Sequence, residues 1–201
     1  MNGSFATILH DLYTLSRADS GLEACGTQKH KFELQDRLTE TEVGQFEEQH
    51  GIQLPIEYRQ FLLQVGNGGA GPCYGISRLG EFAGIPWEEV PGLVGDLAAP
   101  FPFSDRWNED SLSKDLSTEE QYQRQDQYWS PQHVNGAIPI CDAGDNLRFI
   151  LIVNGSEKGT IWLDDRADWQ GIYPVTTESD RRVSFLKWYR SWLDDQLDQG
   201  T

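Results

Sequence analysis

The stretch LPIEYRQFLLQVGNGGAGP, residues 54–72, joins an amphipathic run to a cluster of glycines. Glycine-rich turns hold phosphate where they lead into a helix, because the first helical turn offers free N–H groups and the positive end of the dipole. Here the order is reversed. Gly66, Gly68, Gly69 and Gly71 follow the helical run, and no Gly-Lys-Ser/Thr comes after them. An anion would meet unpaired carbonyls, so nucleotide binding is not expected. The glycines read instead as residues that permit positive φ and close backbone approach.

Other reactive side chains are dispersed. His10, His30, His50 and His133 have no H-x-x-x-H or H-E-x-x-H spacing. DAGDN, 142–146, has the look of a calcium loop but lacks its alternate-position acids and distal Glu. A turn after a strand accounts for Asp142, Gly144 and Asn146. Asp164 and Asp165 together could be paired catalytic carboxylates, but a strand-end turn is the simpler reading. No G-x-S-x-G occurs. No catalytic residue, metal site or cofactor is therefore expected, and a binding module remains.

The elements that position these residues are legible in outline. Phe5, Ile8, Leu9, Leu12 and Leu15 recur at helical spacing and predict a helix over 4–16. Residues 17–36 are polar and read as linker or loop. Thr39 and Glu42 form a capping box for a helix over 40–50, with Gly51 as its left-handed stop. Leu54-Pro55 opens the next helix, with Tyr58, Phe61, Leu62 and Val65 on one face and Gly66 at its end. A short strand is expected around 73–79. Residues 83–116, with Pro86, Pro91, Pro100 and Pro102, read as long loop. Ser117 and Glu120 suggest a second capping box and a polar helix over 118–128.

The last third reads as β structure: 137–141, 147–153, 159–164 and 171–175, with a hairpin loop at 154–159. Leu147–Val153 is apolar except at Arg148, as a central strand covered on both faces would be. Pro139 cannot donate to a ladder, so its strand lies at an edge or starts there. Val183, Leu186, Tyr189, Leu193 and Leu197 predict a closing helix. The expected architecture is α+β: N-terminal helices, a mainly antiparallel sheet in the C-terminal half, and a C-terminal helix.

Composition narrows the function classes. The 201 residues carry 32 acids and 16 bases, a net charge of -16. The excess is spread: ten acids against five bases in 1–60, eleven against four in 61–135, and eleven against seven in 136–201. No segment is basic, so neither nucleic acid nor an anionic membrane surface is an expected partner. The acids either keep the chain soluble or face a partner with a basic surface. Cys25, Cys73 and Cys141 lie far apart with no C-x-x-C, as expected of reduced thiols in a cytosol. The N-terminus has no signal-peptide pattern, and the longest apolar run, FILIV at 149–153, is too short to span a membrane. A cytoplasmic protein is the expectation.

Residues 54–72 also resemble the signature of the Smi/Knr-like proteins of the SUKH superfamily. The matching positions are Leu54, Pro55, Tyr58, Phe61, Leu62, Asn67, Gly68, Gly69, Gly71 and Pro72. YGISRLGEF is similar to the strand that follows in that family. Ile138-Pro139-Ile140 with Asp142 and Gly144, and Gly159, Ile161, Trp162 and Asp165, resemble its later strands. The resemblance covers roughly 39–82 and 136–193. It implies one SUKH-like domain over 1–201, with a variable N-terminal extension, 1–36, and a loop-rich insertion, 83–135. It also implies a protein-binding role without enzyme activity, and a glycine motif that is chiefly structural. Two functions fit it: an immunity protein that neutralises a cognate toxin, or a housekeeping regulatory scaffold of the Smi/Knr type.

With the acid surplus, the expected partner is a basic toxin domain. The first candidates for its contact are Glu88, Glu89, Trp107, Glu109 and Asp110 in the middle segment. Asp142, Asp145, Asp164 and Asp165 at strand ends are second. The missing ligand spacings carry a direct expectation. Titration calorimetry with ATP, GTP, calcium and zinc gives no specific heat, and one stoichiometric, tight isotherm would refute it.

Overall fold

The computed structural model describes residues 2–17, 26–108, 118–179 and 181–199. Four helices come first: α1 (Asn2–Ser16), α2 (Thr27–His30), α3 (Glu40–His50) and α4 (Ile56–Gln64). A small hairpin follows, β1 (Glu81–Phe82) with β2 (Ile85–Pro86), then helix α5 (Thr118–Tyr128). Strands β3 (Ala137–Gly144), β4 (Leu147–Ile152), β5 (Ile161–Asp165) and β6 (Gly171–Pro174) form an antiparallel sheet in that order. Helix α6 (Phe185–Gln199) closes the chain. The α+β class and the order of its parts agree with the sequence reading.

Strand alternation gives the sheet two buried faces. On one side Ile138, Ile140, Leu151 and Ile161 join the helices' apolar residues. On the other, Ala137, Ile150, Ile152, Trp162 and Ile172 form a smaller cluster capped by Phe101 and Val134. β4 is a central strand, inner with β5, and Pro139 sits in the edge strand β3, beside a register shift. The helix layer is bound by aromatic packing. Phe185 meets Tyr58 and Phe61 edge-on at 5.0 and 5.2 Å between ring centres, and Tyr189 meets Phe61 at 5.0 Å. Phe5, Ile8, Leu12 and Leu15 of α1 are buried in the same core, and Arg190 of α6 pairs with Asp11 at 2.8 Å.

Local signals set the helix ends. Thr39 and Glu42 make the reciprocal capping box at α3, and Gly51 ends that helix at φ 64. Glu57 accepts the Leu186 amide at 2.9 Å, placing a carboxylate at the N-terminus of α6. α4 differs in detail from expectation: its C-cap is Val65, bonded to the Phe61 carbonyl, and Gly66 has no positive φ. Ser117, the expected cap of α5, lies outside the described residues.

The glycine stretch is a backbone junction. Gly68 and Gly69 have φ of 93 and 100. A Cβ on Gly68 would lie 2.7 Å from the Ile76 carbonyl oxygen, and one on Gly69 would lie 2.5 Å from that of Glu33. Main-chain bonds run from Gln35 N–H to Gly68 O, from Ala70 N–H to Glu33 O, and both ways between Gly69 and Ile76. Ser77 N–H then reaches Ile140 O in β3 at 2.8 Å. Single-residue bridges thus carry the sheet outward from β3 through Ile76 and Gly69 to Leu34. Asn67 accepts the Leu79 amide, and the Tyr189 hydroxyl donates to Ala70 O at 2.8 Å.

Two expectations change here. Residues 26–36 are no loose linker: their side chains are mostly polar, but their backbone is zipped to the glycines, with Thr27, His30 and Phe32 buried. Residues 73–79 form no strand; only Ile76 bridges, because positive φ at Cys73 and Gly75 turns the chain out of extension.

Backbone strain predicts a contrast among glycines. Gly68→Val and Gly69→Val each lower the unfolding free energy by about 1–3 kcal/mol or more. Gly44→Ala, inside α3 with nothing within 4 Å of the added carbon, raises it by about 0.5–1 kcal/mol. Chemical denaturation midpoints check both signs.

Candidate protein-binding surface

The outer face of the sheet is covered by residues that the sequence left as loop. Trp107 exchanges two main-chain hydrogen bonds with Ile172, each 2.8 Å, and so caps the edge of β6. Its ring stacks on Phe103 at 5.0 Å and on Tyr128 at 5.4 Å, and Tyr128 stacks on Trp169 at 4.9 Å. The Tyr128 hydroxyl donates to Asn108, whose amide donates to the Trp169 carbonyl. This aromatic row ends at the surface, where Trp169 is 42% and Trp129 36% exposed. The described side chains of α5 up to Gln127 are exposed, among them Tyr122, Glu119 and Asp126.

A buried ion cluster holds this layer down. Asp164 and Arg148 face each other across β5 and β4, 2.6 Å apart at the closest. The fully buried Arg166 takes both Asp164 oxygens, at 2.7 and 2.8 Å, and donates to the carbonyls of Tyr128 and Ser130. Its guanidinium lies 5.1 Å from the centre of the Trp129 ring. Burial pushes the Asp164 carboxyl up, but its hydrogen bonds to Arg166 and the charges of both arginines outweigh that and hold it below the usual aspartate range. Burial draws Arg148 down. Asp164 is thus the counter-charge that lets Arg166 pin the end of α5 to the sheet.

The expected contact residues fall into separate places. Glu88 and Glu89 are exposed on the single turn Trp87–Glu89, whose Trp87 packs against Phe46 of α3. Trp107 belongs to the aromatic row instead. Glu109 and Asp110 lie outside the described residues. Asp142 is half-buried and accepts the Gly144 amide at 2.9 Å, while Asp145 is exposed in the turn at φ 50. Asp164 and Asp165 correct the expectation of exposed strand-end acids. Both are buried, Asp164 between arginines and Asp165 against the Tyr173 hydroxyl at 3.0 Å. Arg148 in an otherwise apolar strand was the available signal, and only the register shows that Asp164 answers it.

The motif positions are in the core. Leu54, Tyr58, Phe61 and Trp162 are buried, and the Trp162 indole donates to Thr160. A groove of about 460 Å³ opens beside the glycines. Its walls mix Lys29 and Arg78 with Glu33, Glu81 and Asp142, and burial pushes the His30 imidazole on its lining down to about 4. Among the described residues no group of three His, Cys, Asp or Glu is placed to hold a metal. No helix there is long and apolar enough to cross a membrane.

The cluster predicts an acid limb in stability. The folded value of Asp164 is depressed, so its contribution is complete above the unfolded value near 3.8 and is lost as pH falls through the folded one. Asp164→Asn leaves Arg166 buried without its counter-charge and costs about 3–5 kcal/mol near neutrality. The difference from wild type narrows below about pH 4, read by denaturation at each pH.

A model of the SMI1 / KNR4 family (SUKH-1) matches residues 37–181. No curated relative and no solved structure matches the chain. The matched span takes in the glycine stretch, the ion cluster and the whole sheet, leaves out residues 33–36 of the junction, and covers well over half of the sequence. The chain belongs to the SMI1 / KNR4 family, SUKH-1.

Proposed function

We propose that this chain is an immunity protein: a cytoplasmic, non-enzymatic module that binds and neutralises a basic toxin domain. Family membership supports a protein-interaction role of this type. The observation that carries the charge preference is the surplus of acids over bases in the chain. Arg59, Arg148, Arg166, Arg182 and Arg190 are each held by carboxylates of the same chain. Those pairings neutralise acids along with bases, so the surplus of 32 acids over 16 bases remains, a net charge of -16. A toxin that acts on nucleic acid needs a basic cleft, and an acidic surface competes for it as phosphate does.

The proposed contact lies on the segment between β2 and β3, within a single domain that includes the N-terminal extension. That segment carries the exposed acids Glu88, Glu89, Glu119 and Asp126 and the aromatics Tyr122 and Trp129, and Trp169 from the turn before β6 stacks on its Tyr128. Acids steer the encounter, and partly buried tryptophans supply rigid anchors that hold it. Glu109 and Asp110 belong to the same segment of sequence.

Co-expression with the product of the neighbouring reading frame tests the role, and association rates at rising salt test the charge. Protection of the host is expected, with association reaching about 10⁸ M⁻¹s⁻¹ at low salt and falling steeply as salt is added. Replacing Glu88, Glu89, Glu109 and Asp110 by Lys slows association at least about tenfold without lowering the melting temperature. Salt-independent binding would contradict the charge argument. Absence of protection would favour the regulatory scaffold.

A further inference from the structure

Two of the three cysteines, distant in sequence, are neighbours in space. Pro72-Cys73-Tyr74 runs alongside Cys141-Asp142 of β3. The Cys141 thiol donates to the Pro72 carbonyl at 3.1 Å, and the Tyr74 amide donates to the Asp142 carbonyl at 3.3 Å. The next bridge, Ile76 to Cys141, continues the same pairing. The Pro72 carbonyl carbon is bonded to the Cys73 nitrogen, so these bonds bring the Cys141 sulfur beside Cys73. Cys73 is half-buried and open to a small oxidant, whereas Cys141 is buried behind it. Cys73 also has a φ of 48, which directs a residue with a Cβ into a sparsely used conformation.

We propose that Cys73 and Cys141 form an oxidisable thiol pair, which hydrogen peroxide converts to a disulfide tying the glycine junction to β3. The Cys73 thiolate attacks one peroxide oxygen. The O–O bond breaks, and hydroxide leaves and takes a proton to become water. Cys73 is now a sulfenic acid. The Cys141 sulfur attacks the Cys73 sulfur, the S–S bond forms, and the S–O bond breaks. The departing hydroxide takes the Cys141 proton and leaves as a second water. Two thiols are oxidised to one disulfide, and one peroxide is reduced to two waters.

The electrostatics fit these roles. The neighbouring Cys141 thiol draws the Cys73 thiol down to about 7, against burial and the charge of Asp142, which favours its thiolate. Burial, then the neighbouring Cys73, pushes Cys141 up, so it keeps the proton that it donates to the Pro72 carbonyl. The resulting bridge closes residues 74–140 into a covalent loop, which contains the whole segment between β2 and β3. The inference is independent of what that segment binds.

The test is to add equimolar hydrogen peroxide to the reduced full chain. The intact mass is expected to fall by about 2 Da, and non-reducing peptide mapping finds Cys73 joined to Cys141. The melting temperature rises, and dithiothreitol reverses both changes. In Cys141→Ser the reaction stops at Cys73 with a gain of about 16 Da that dimedone captures. The wild-type map decides the matter even if that variant misfolds. A bridge to Cys25, a Cys73 oxidised with Cys141 still titratable, or three thiols that survive the peroxide would each overturn the proposal.

Discussion

The structure depends on two consecutive glycines whose backbone is left-handed. Gly68 and Gly69 turn the chain at a place where the carbonyls of Glu33 and Ile76 leave no room for a side chain. That turn lets three segments, 33–36, 67–71 and 75–77, bond to one another through main-chain groups alone. The junction hands its last bond to β3 and takes one from Tyr189 of α6, so the helix layer and the sheet meet there. A motif that looks like a ligand loop in sequence is filled by the protein's own backbone.

The same economy operates at the other end of the sheet. Exposed strand edges invite unwanted pairing. Here each edge is closed by a single residue, Ile76 on β3 and Trp107 on β6, and not by a full strand. Trp107 starts an aromatic row, and Arg166 fixes the far end of that row by holding the carbonyls of Tyr128 and Ser130. Arg166 could not be buried without Asp164. A charge pair inside the fold therefore orders the surface outside it.

Much of this was legible in the sequence because local rules govern it. The capping box at Thr39, the left-handed stop at Gly51, the apolar run of β4 and the edge position of Pro139 all follow from one residue's geometry or from periodicity. What was not legible depends on register and on backbone contacts between distant segments. Polar residues 26–36 join the fold through main-chain bonds, which side-chain patterns do not report. Asp164 read as a strand-end turn acid because nothing local shows that Arg148 and Arg166 converge on it. The nearness of Cys73 to Cys141 was hidden for the same reason: 67 residues separate them, and contacts between the two distant segments bring them together. The hairpin β1–β2 turns at Ala83-Gly84, both at positive φ, where an alanine gives no turn signal.

The central claim is that the glycine junction is part of the folded core and not a mobile binding loop. Native-state hydrogen exchange on the free protein tests it most directly. The amides of Gly69 and Ile76, bonded to each other's carbonyls, should exchange as slowly as that of Leu151 in β4, all three opening only on global unfolding. Exchange of Gly69 and Ile76 at the rate of exposed loop amides, with Leu151 still protected, would contradict the account.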